Sequence, residues 1–491
     1  MRWLMTLMLL VIPVYSFGAD DPPPQKTDVQ SPAGLWEGTL QVGAVKLRLA
    51  FEIKADGDGF KATMDSIDQG AKNIPLSEAS WKDDTLTLAL KEANLTYAGK
   101  LSADGSELSG RFKQGGFETT LVLKRVTKRT ELKRPQEPKP PFPYRAEEVA
   151  FENPKASGVK LAGTLTIPEG SGPFPAVILI SGSGPQNRDE EILGHKPFWV
   201  IADHLTRRGF AVLRYDDRGV AKSTGDFKSA TSADFSTDAE AAFDFLRTRT
   251  DIDGRKIGFA GHSEGGLIAP MVAARRPEVA FLVLLAGPGM TGKEILKDQI
   301  VLVAKAEGAS DALVAISVAM QQKLMDLLAE ESDNAKLAER AKILAREFMA
   351  QLTPEQRREL RKAQGKLGEA DESDEDDPVQ SAQLEAMATP WFRYFLTYDP
   401  RTDLRKVKCP VLALNGEFDV QVPAWQNLDE IAKALREAGN PDVTTKLLPG
   451  MNHLFQTTTT GKVSEYATLE ETFSPIALDV IGSWLAERFQ K

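Results

Sequence analysis

Two hydrophobic periods divide the chain. From Gly34 to Val126 apolar residues recur at every second position, as in T-L-Q-V-G-A-V-K-L-R-L-A-F-E-I and F-E-T-T-L-V-L. That spacing belongs to strands with one buried face. Asp-Gly and Gly-Gly pairs interrupt it and mark hairpins. About seven or eight short antiparallel strands are expected, forming a small barrel or sandwich. Farther along, short runs that are apolar on both faces alternate with amphipathic helices. A-V-I-L-I-S (176–181), Phe210 to Tyr215, K-I-G-F-A, Phe281 to Ala286 and P-V-L-A-L-N are the runs; Asp234 to Arg249 is one of the helices. Strands buried on both faces form parallel sheets covered by helices. The second part is therefore α/β, with a mostly parallel central sheet.

After Ala286 the pattern turns helical and polar, as in A-L-V-A-I-S-V-A-M-Q-Q-K-L-M-D-L-L and A-K-L-A-E-R-A-K-I-L-A-R-E-F. Thr353-Pro354-Glu355-Gln356 reads as a capping box with proline in the first turn. This insertion, about 290–398, takes the place of a cap over an active site. Its last segment holds Trp391, Phe392, Tyr394 and Phe395. Two uses fit these rings: walling a substrate pocket, with Trp391, Phe392 and Phe395 as candidates, or packing the cap on the core. Glu369 to Asp377 is an acidic run read as a surface loop.

Chemistry enters at Lys256 to Ala269, where K-I-G-F-A runs into G-H-S-E-G and then into a helical stretch. This is strand, sharp turn and helix, with Ser263 at the apex. Gly261 and Gly265 leave the turn free of neighbouring side chains, and the helix N-terminus faces the oxyanion that attack creates. A serine nucleophile needs a base and an orienting acid. The chain has four histidines. His262 adjoins the nucleophile and is expected to point away; His204 sits in a helical run, and His195 precedes the nucleophile. His453 remains, in a loop after the strand-like V-T-T-K-L-L. Asp419 ends N-G-E-F-D after another buried strand. Ser263, Asp419 and His453 thus leave three strand ends in chain order.

These segments resemble the α/β-hydrolase family, and within it the secreted serine esterases related to dienelactone hydrolases and prolyl oligopeptidases. The resemblance covers about 146–491 and rests on I-S-G-S-G-P-Q-N-R-D-E, R-Y-D-D-R-G-V-A-K-S-T-G, G-H-S-E-G-G, N-G-E-F-D-V-Q-V-P and G-M-N-H-L-F. It implies nucleophile, acid and base at Ser263, Asp419 and His453. It also implies oxyanion donors at the backbone of Glu264 and Ser183, the latter in Ser181-Gly182-Ser183-Gly184, where the family often has His-Gly. The loop at Arg218 is expected to brace the site, its guanidinium paired with a carboxylate, for which Glu264 is the candidate.

Composition adds limits. The 491 residues allow two or three domains, and the formal charge of −10 without a basic stripe excludes nucleic acid as an expected partner. The single Cys409 excludes an intrachain disulfide and is read as a buried structural thiol. No Cys/His cluster has metal-ligand spacing, and no cofactor is expected. Residues 1–19 read as a signal peptide: Arg2, an apolar Leu4 to Val14, then Ser16-Phe17-Gly18. An exported protein, periplasmic or secreted, follows as the expectation, with no stable membrane insertion after cleavage and no other segment that looks membrane-spanning.

The expected organisation is then signal peptide 1–19, linker 20–32, small antiparallel β domain 33–126, proline-rich linker 127–145, and α/β-hydrolase domain 146–491. The linker's charges are expected to be solvated, and the β domain to contribute nothing to the chemistry. The expected function is a serine carboxylesterase acting on short-to-medium acyl esters of small molecules. A prolyl-oligopeptidase-like serine peptidase and a non-catalytic binding protein using the β domain are the alternatives. Oligomeric state is not legible.

Overall fold

The computed structural model describes residues 31–42, 45–114, 117–363 and 387–490. The expected signal peptide, most of the first linker and the acidic run lie outside the described residues.

The first sheet has nine strands: β1 (Gly34–Val42), β2 (Val45–Asp56), β3 (Gly59–Ser66), β4 (Ala71–Pro75), β5 (Glu78–Lys82), β6 (Thr85–Leu90), β7 (Leu95–Leu101), β8 (Glu107–Gln114) and β9 (Phe117–Val126). Their order is β4-β3-β2-β1-β9-β8-β7-β6-β5. The long alternating run T-L-Q-V-G-A-V-K-L-R-L-A-F-E-I contains a hairpin, with Val42 opposite Val45. Alternation survives a hairpin, so periodicity alone does not mark the break. The interior is filled by Trp36, Phe51, Tyr97 and Phe112, each 1% exposed or less.

The second sheet has eight: β10 (Tyr144–Glu152), β11 (Lys160–Pro168), β12 (Phe174–Ile180), β13 (Ala211–Tyr215), β14 (Ile252–His262), β15 (Leu282–Leu285), β16 (Val411–Gly416) and β17 (Val443–Leu448). They run β10-β11-β13-β12-β14-β15-β16-β17. From β13 to β17 all neighbours are parallel. β12 shows why its sequence is apolar throughout. Ile178 and Ile180 enter the core on one face, Val177 and Leu179 that on the other. Chain order reverses around β12, with β13 on one side and β14 on the other. A ligand crevice is expected outside the carboxyl ends of strands at such a point.

The described cap helices lie between β15 and β16: Gly292–Ala306, Asp311–Glu330, Asn334–Gln351, Pro354–Ala363 and Pro390–Thr397. Thr353 and Gln356 make the expected reciprocal cap, at 2.9 and 3.2 Å. Asp311–Glu330 is, against expectation, long and apolar enough by composition to cross a membrane. Half of its most apolar window is buried, and Leu313, Ile316, Met320 and Leu324 pack with Leu337, Phe348 and Phe392 in the cap's own core.

The segment 127–143 corrects the expectation of a solvated linker. Arg129 pairs with Glu52 at 2.5 Å and Asp65 at 2.6 Å. Arg134 and Gln136 hydrogen-bond to the second domain. Arg129 and Arg134 serve the seam between the two sheets, while Lys128, Lys133 and Lys139 are exposed. Cys409 is free and half-buried against the core, and burial pushes its thiol up to about 12.

Candidate active site

Ser263 stands between β14 and the helix Glu264–Arg275, at φ 51° and ψ −115°. A positive φ on a side-chain-bearing residue is strained and persists only where the surroundings impose it. They do so through two glycines. A Cβ at Gly261 would sit 2.0 Å from the Gly265 carbonyl oxygen, and one at Gly265 would sit 2.0 Å from the Ile180 oxygen. The turn therefore packs backbone on backbone against the end of β12. Ser263 is half-buried while both flanking residues are buried.

Asp419 follows β16 and His453 follows β17; each is 4% exposed. The Asp419 Oδ1 accepts the Gln421 and Val422 backbone N–H groups at 2.9 and 2.8 Å. That fixes Oδ2 on His453 Nδ1 at 2.8 Å. The His453 ring lies 4.9 Å, centroid to centroid, from that of His262, the residue before Ser263. A carboxylate that holds one imidazole nitrogen leaves the other free to exchange a proton.

His262 turns away from the apex, into a buried pair that sequence reasoning missed. Its Nδ1 meets Glu190 Oε1 at 2.9 Å, and its Nε2 donates to the His453 carbonyl at 3.0 Å. Burial works against its charge, but Glu190 and that carbonyl outweigh it and raise the His262 pKa. The same Glu190 oxygen accepts the Gly182 N–H at 2.6 Å, so one carboxylate ties the loop after β12 to the turn after β14. No pattern in R-D-E (188–190) marked which acid would do this.

The R-Y-D-D-R loop braces the site as expected, with different partners. Arg218 pairs with Asp238 at 2.7 Å, not with Glu264. Asp216 holds Arg188 at 2.8 Å. Asp217 accepts from the Ser181 hydroxyl and the Gln186 N–H, each at 2.9 Å. Burial raises Asp217 well above the usual carboxylate range.

Glu264 is 3% exposed. Its Oε1 accepts the Ser232 hydroxyl at 2.6 Å and the Trp391 indole N–H at 2.7 Å. Burial raises its pKa against the hydrogen bonds it accepts. The carboxylate is thereby held by Ser232 and by the cap's Trp391. A cavity beside it is walled by Ile180, Gly182, Tyr215, Phe235 and Ile268 among others. Of the three pocket candidates, Trp391 is a hydrogen-bond donor to Glu264, Phe395 stacks on Trp391 at 5.5 Å, and Phe392 lies in the cap core. None of the three lines that cavity. His195 is buried between Thr472 and the Tyr466 carbonyl; burial, with Arg134 nearby, lowers it to about 4.

The family model described as X-Pro dipeptidyl-peptidase (S15 family) matches residues 157–450, more than half of the chain. Esterase EstD of Thermotoga maritima is 32% identical over 192 residues, 39% of this chain and 46% of that relative. The chain thus spans less than half the length of the curated relative it matches. Among solved structures, the Pyrococcus furiosus esterase Pf2001 superposes with a TM-score of 0.41 at 16% identity, covering 71% of this chain and 94% of its own. A dienelactone hydrolase from Anabaena variabilis gives 0.37 at 16% identity, covering 71% and 98%.

Proposed function

The chain belongs to the X-Pro dipeptidyl-peptidase (S15) family, and from that premise we propose that it is a serine hydrolase that cleaves carboxylic esters. Two observations carry the reading: a strained, half-buried Ser263 at a strand–helix turn after β14, and a buried His453–Asp419 pair at 2.8 Å at the ends of β17 and β16 of the same sheet. His453 takes the Ser263 proton as the hydroxyl attacks the ester carbonyl, and Asp419 holds the imidazole in the right tautomer. The backbone N–H groups of Glu264 and Ser183 receive the oxyanion, each worth roughly 3 kcal/mol. His453 then protonates the leaving alcohol. Water, activated by the same base, attacks the acyl-enzyme and releases the acid.

The substrates we propose are small-molecule esters with short-to-medium acyl chains. Export to the periplasm or beyond rests on the charged, apolar and small-residue order of residues 1–19. The family's description favours one second reading, peptide cleavage after an X-Pro pair. Turnover of short-chain aryl esters and of X-Pro anilides, by the full chain and by Ser263→Ala, separates the two. Ester turnover that needs Ser263, with anilide turnover at background, is the expected result. The reverse preference would replace the esterase reading with the peptidase one.

A further inference from the structure

The segment joining the two sheets crosses the two loops that hold the candidate site. On one side, the loop after β12 carries Glu190, which anchors both the Gly182 N–H and His262. It ends in Leu193 and Gly194, with Glu190 and Leu193 at φ 49° and 53°. On the other side, the chain after His453 runs through Tyr466 to Ser474 and returns to the site, where the Ser474 N–H meets the Phe455 carbonyl at 2.8 Å. Arg134 spans the gap. It donates to the carbonyls of Leu193 at 3.0 Å and Gly194 at 3.2 Å, and to those of Ala467 at 2.8 Å and Leu469 at 2.9 Å. Two residues on, Gln136 bonds the Phe473 carbonyl at 2.6 Å and the Phe473 N–H at 3.0 Å.

The β domain holds this strap from behind. Arg129 is fixed to Glu52 and Asp65, and the Thr130 N–H donates to Glu37 at 2.6 Å. A Cβ at Gly70 would lie 2.6 Å from the Gly194 nitrogen, so the β domain also touches the Glu190 loop directly. A guanidinium is suited to this place, because its planar fork carries five donors in fixed directions. Four backbone carbonyls from two loops without regular secondary structure would otherwise lack these partners.

We infer that Arg134 is a positioning residue for the active site: it locks the Glu190 loop to the chain beyond His453, and makes the β domain and its linker part of the catalytic scaffold. This rests on the reading of Ser263 and His453 as nucleophile and base. It reverses the expectation that the β domain is indifferent to the chemistry. The donor loop and the base would drift relative to one another without the strap, and misplacement of that kind costs rate more than ground-state affinity.

The test is made in the full chain, with Arg134→Ala and Arg134→Lys, on p-nitrophenyl acetate and with a fluorophosphonate probe. A fall in kcat of about tenfold or more is expected for Arg134→Ala, with KM within about twofold. Arg134→Lys, with one point charge in place of a fork, should recover only part of the rate. Where Arg134→Ala does not fold, the Lys variant decides by the same split of kcat from KM. A folded variant with parental kcat overturns the inference, as does a change in KM alone. Should the parent prove inert on esters, the esterase reading fails separately. The rate of probe attachment to Ser263 then serves as the readout, slowed in the variants if the strap positions the site and unchanged if it does not.

Discussion

The indole N–H of Trp391 donates to the Glu264 carboxylate at 2.7 Å, so the cap is hydrogen-bonded to the residue that follows Ser263. Trp391 is the second residue of the last cap helix, Pro390–Thr397, and stacks on Phe395. Glu264 opens the helix that follows Ser263, and its backbone N–H is the donor proposed for the oxyanion. Seating of the cap and orientation of the donor are thereby joined through one buried oxygen.

Trp391→Phe keeps a ring and removes the donor. It leaves a buried carboxylate short of one partner, which costs about 1–3 kcal/mol. Chemical denaturation should show a loss of that size, with a lower kcat on small esters. Phe392→Leu, confined to the cap core, should lower stability while sparing kcat. Equal behaviour of the two variants would remove the link between cap and turn.

The buried Glu264 also sets a pH dependence. Its folded pKa is raised above the ordinary 4.5, so the native chain holds a proton that the unfolded chain releases. The stability contributed by Glu264 is therefore full below 4.5 and is lost as pH rises through the folded value. Glu264→Gln removes this titration. Its melting temperature relative to the parent should climb as pH rises from 4.5 through the folded value and then level off; a constant difference would contradict the assignment.

His262 gives the opposite sign. Its folded pKa is raised beside Glu190, so the stability it contributes is full below 6.5, the ordinary histidine value. That contribution is lost as pH rises through the folded value. Glu190→Gln should accordingly cost most below about pH 6.5 and less in mild alkali, followed by thermal unfolding across that range. A cost independent of pH would mean that the pair is not ionic.

The parts of this site that could be read in the sequence are those where local chemistry admits few residues. Gly261 and Gly265 had to be glycines because backbone carbonyls lie 2.0 Å from their missing Cβ atoms, and so the turn at Ser263 was legible. The apolar runs marked the central strands because both faces of β12 are buried. Partner choice was not legible. Nothing in R-D-E says that Glu190 rather than Asp189 reaches His262, and Arg218 had several carboxylates within the same stretch of chain. Trp391 shows the limit clearly, since its role depends on how a hundred-residue insertion folds back. The charges of 127–143 were misread because a solvated linker and a docked strap share one composition.

The histidines separate by substitution. His453→Ala should lower kcat at least about 10³-fold. His204→Gln should leave most of the turnover, since His204 lies on the helix Pro197–Arg207 beside Asp479. Steady-state kinetics on one aryl ester decides it: a His204 variant that fails while the His453 variant works would move the base elsewhere.

The central claim is that Ser263 forms the acyl-enzyme, and active-site labelling tests it most directly. A fluorophosphonate probe followed by intact-mass and peptide analysis should add one label per chain, on the peptide that carries Ser263. Ser263→Ala should take up none and should not turn over esters. Stoichiometric labelling of Ser263→Ala, or ester turnover by it at the parental rate, would contradict the account.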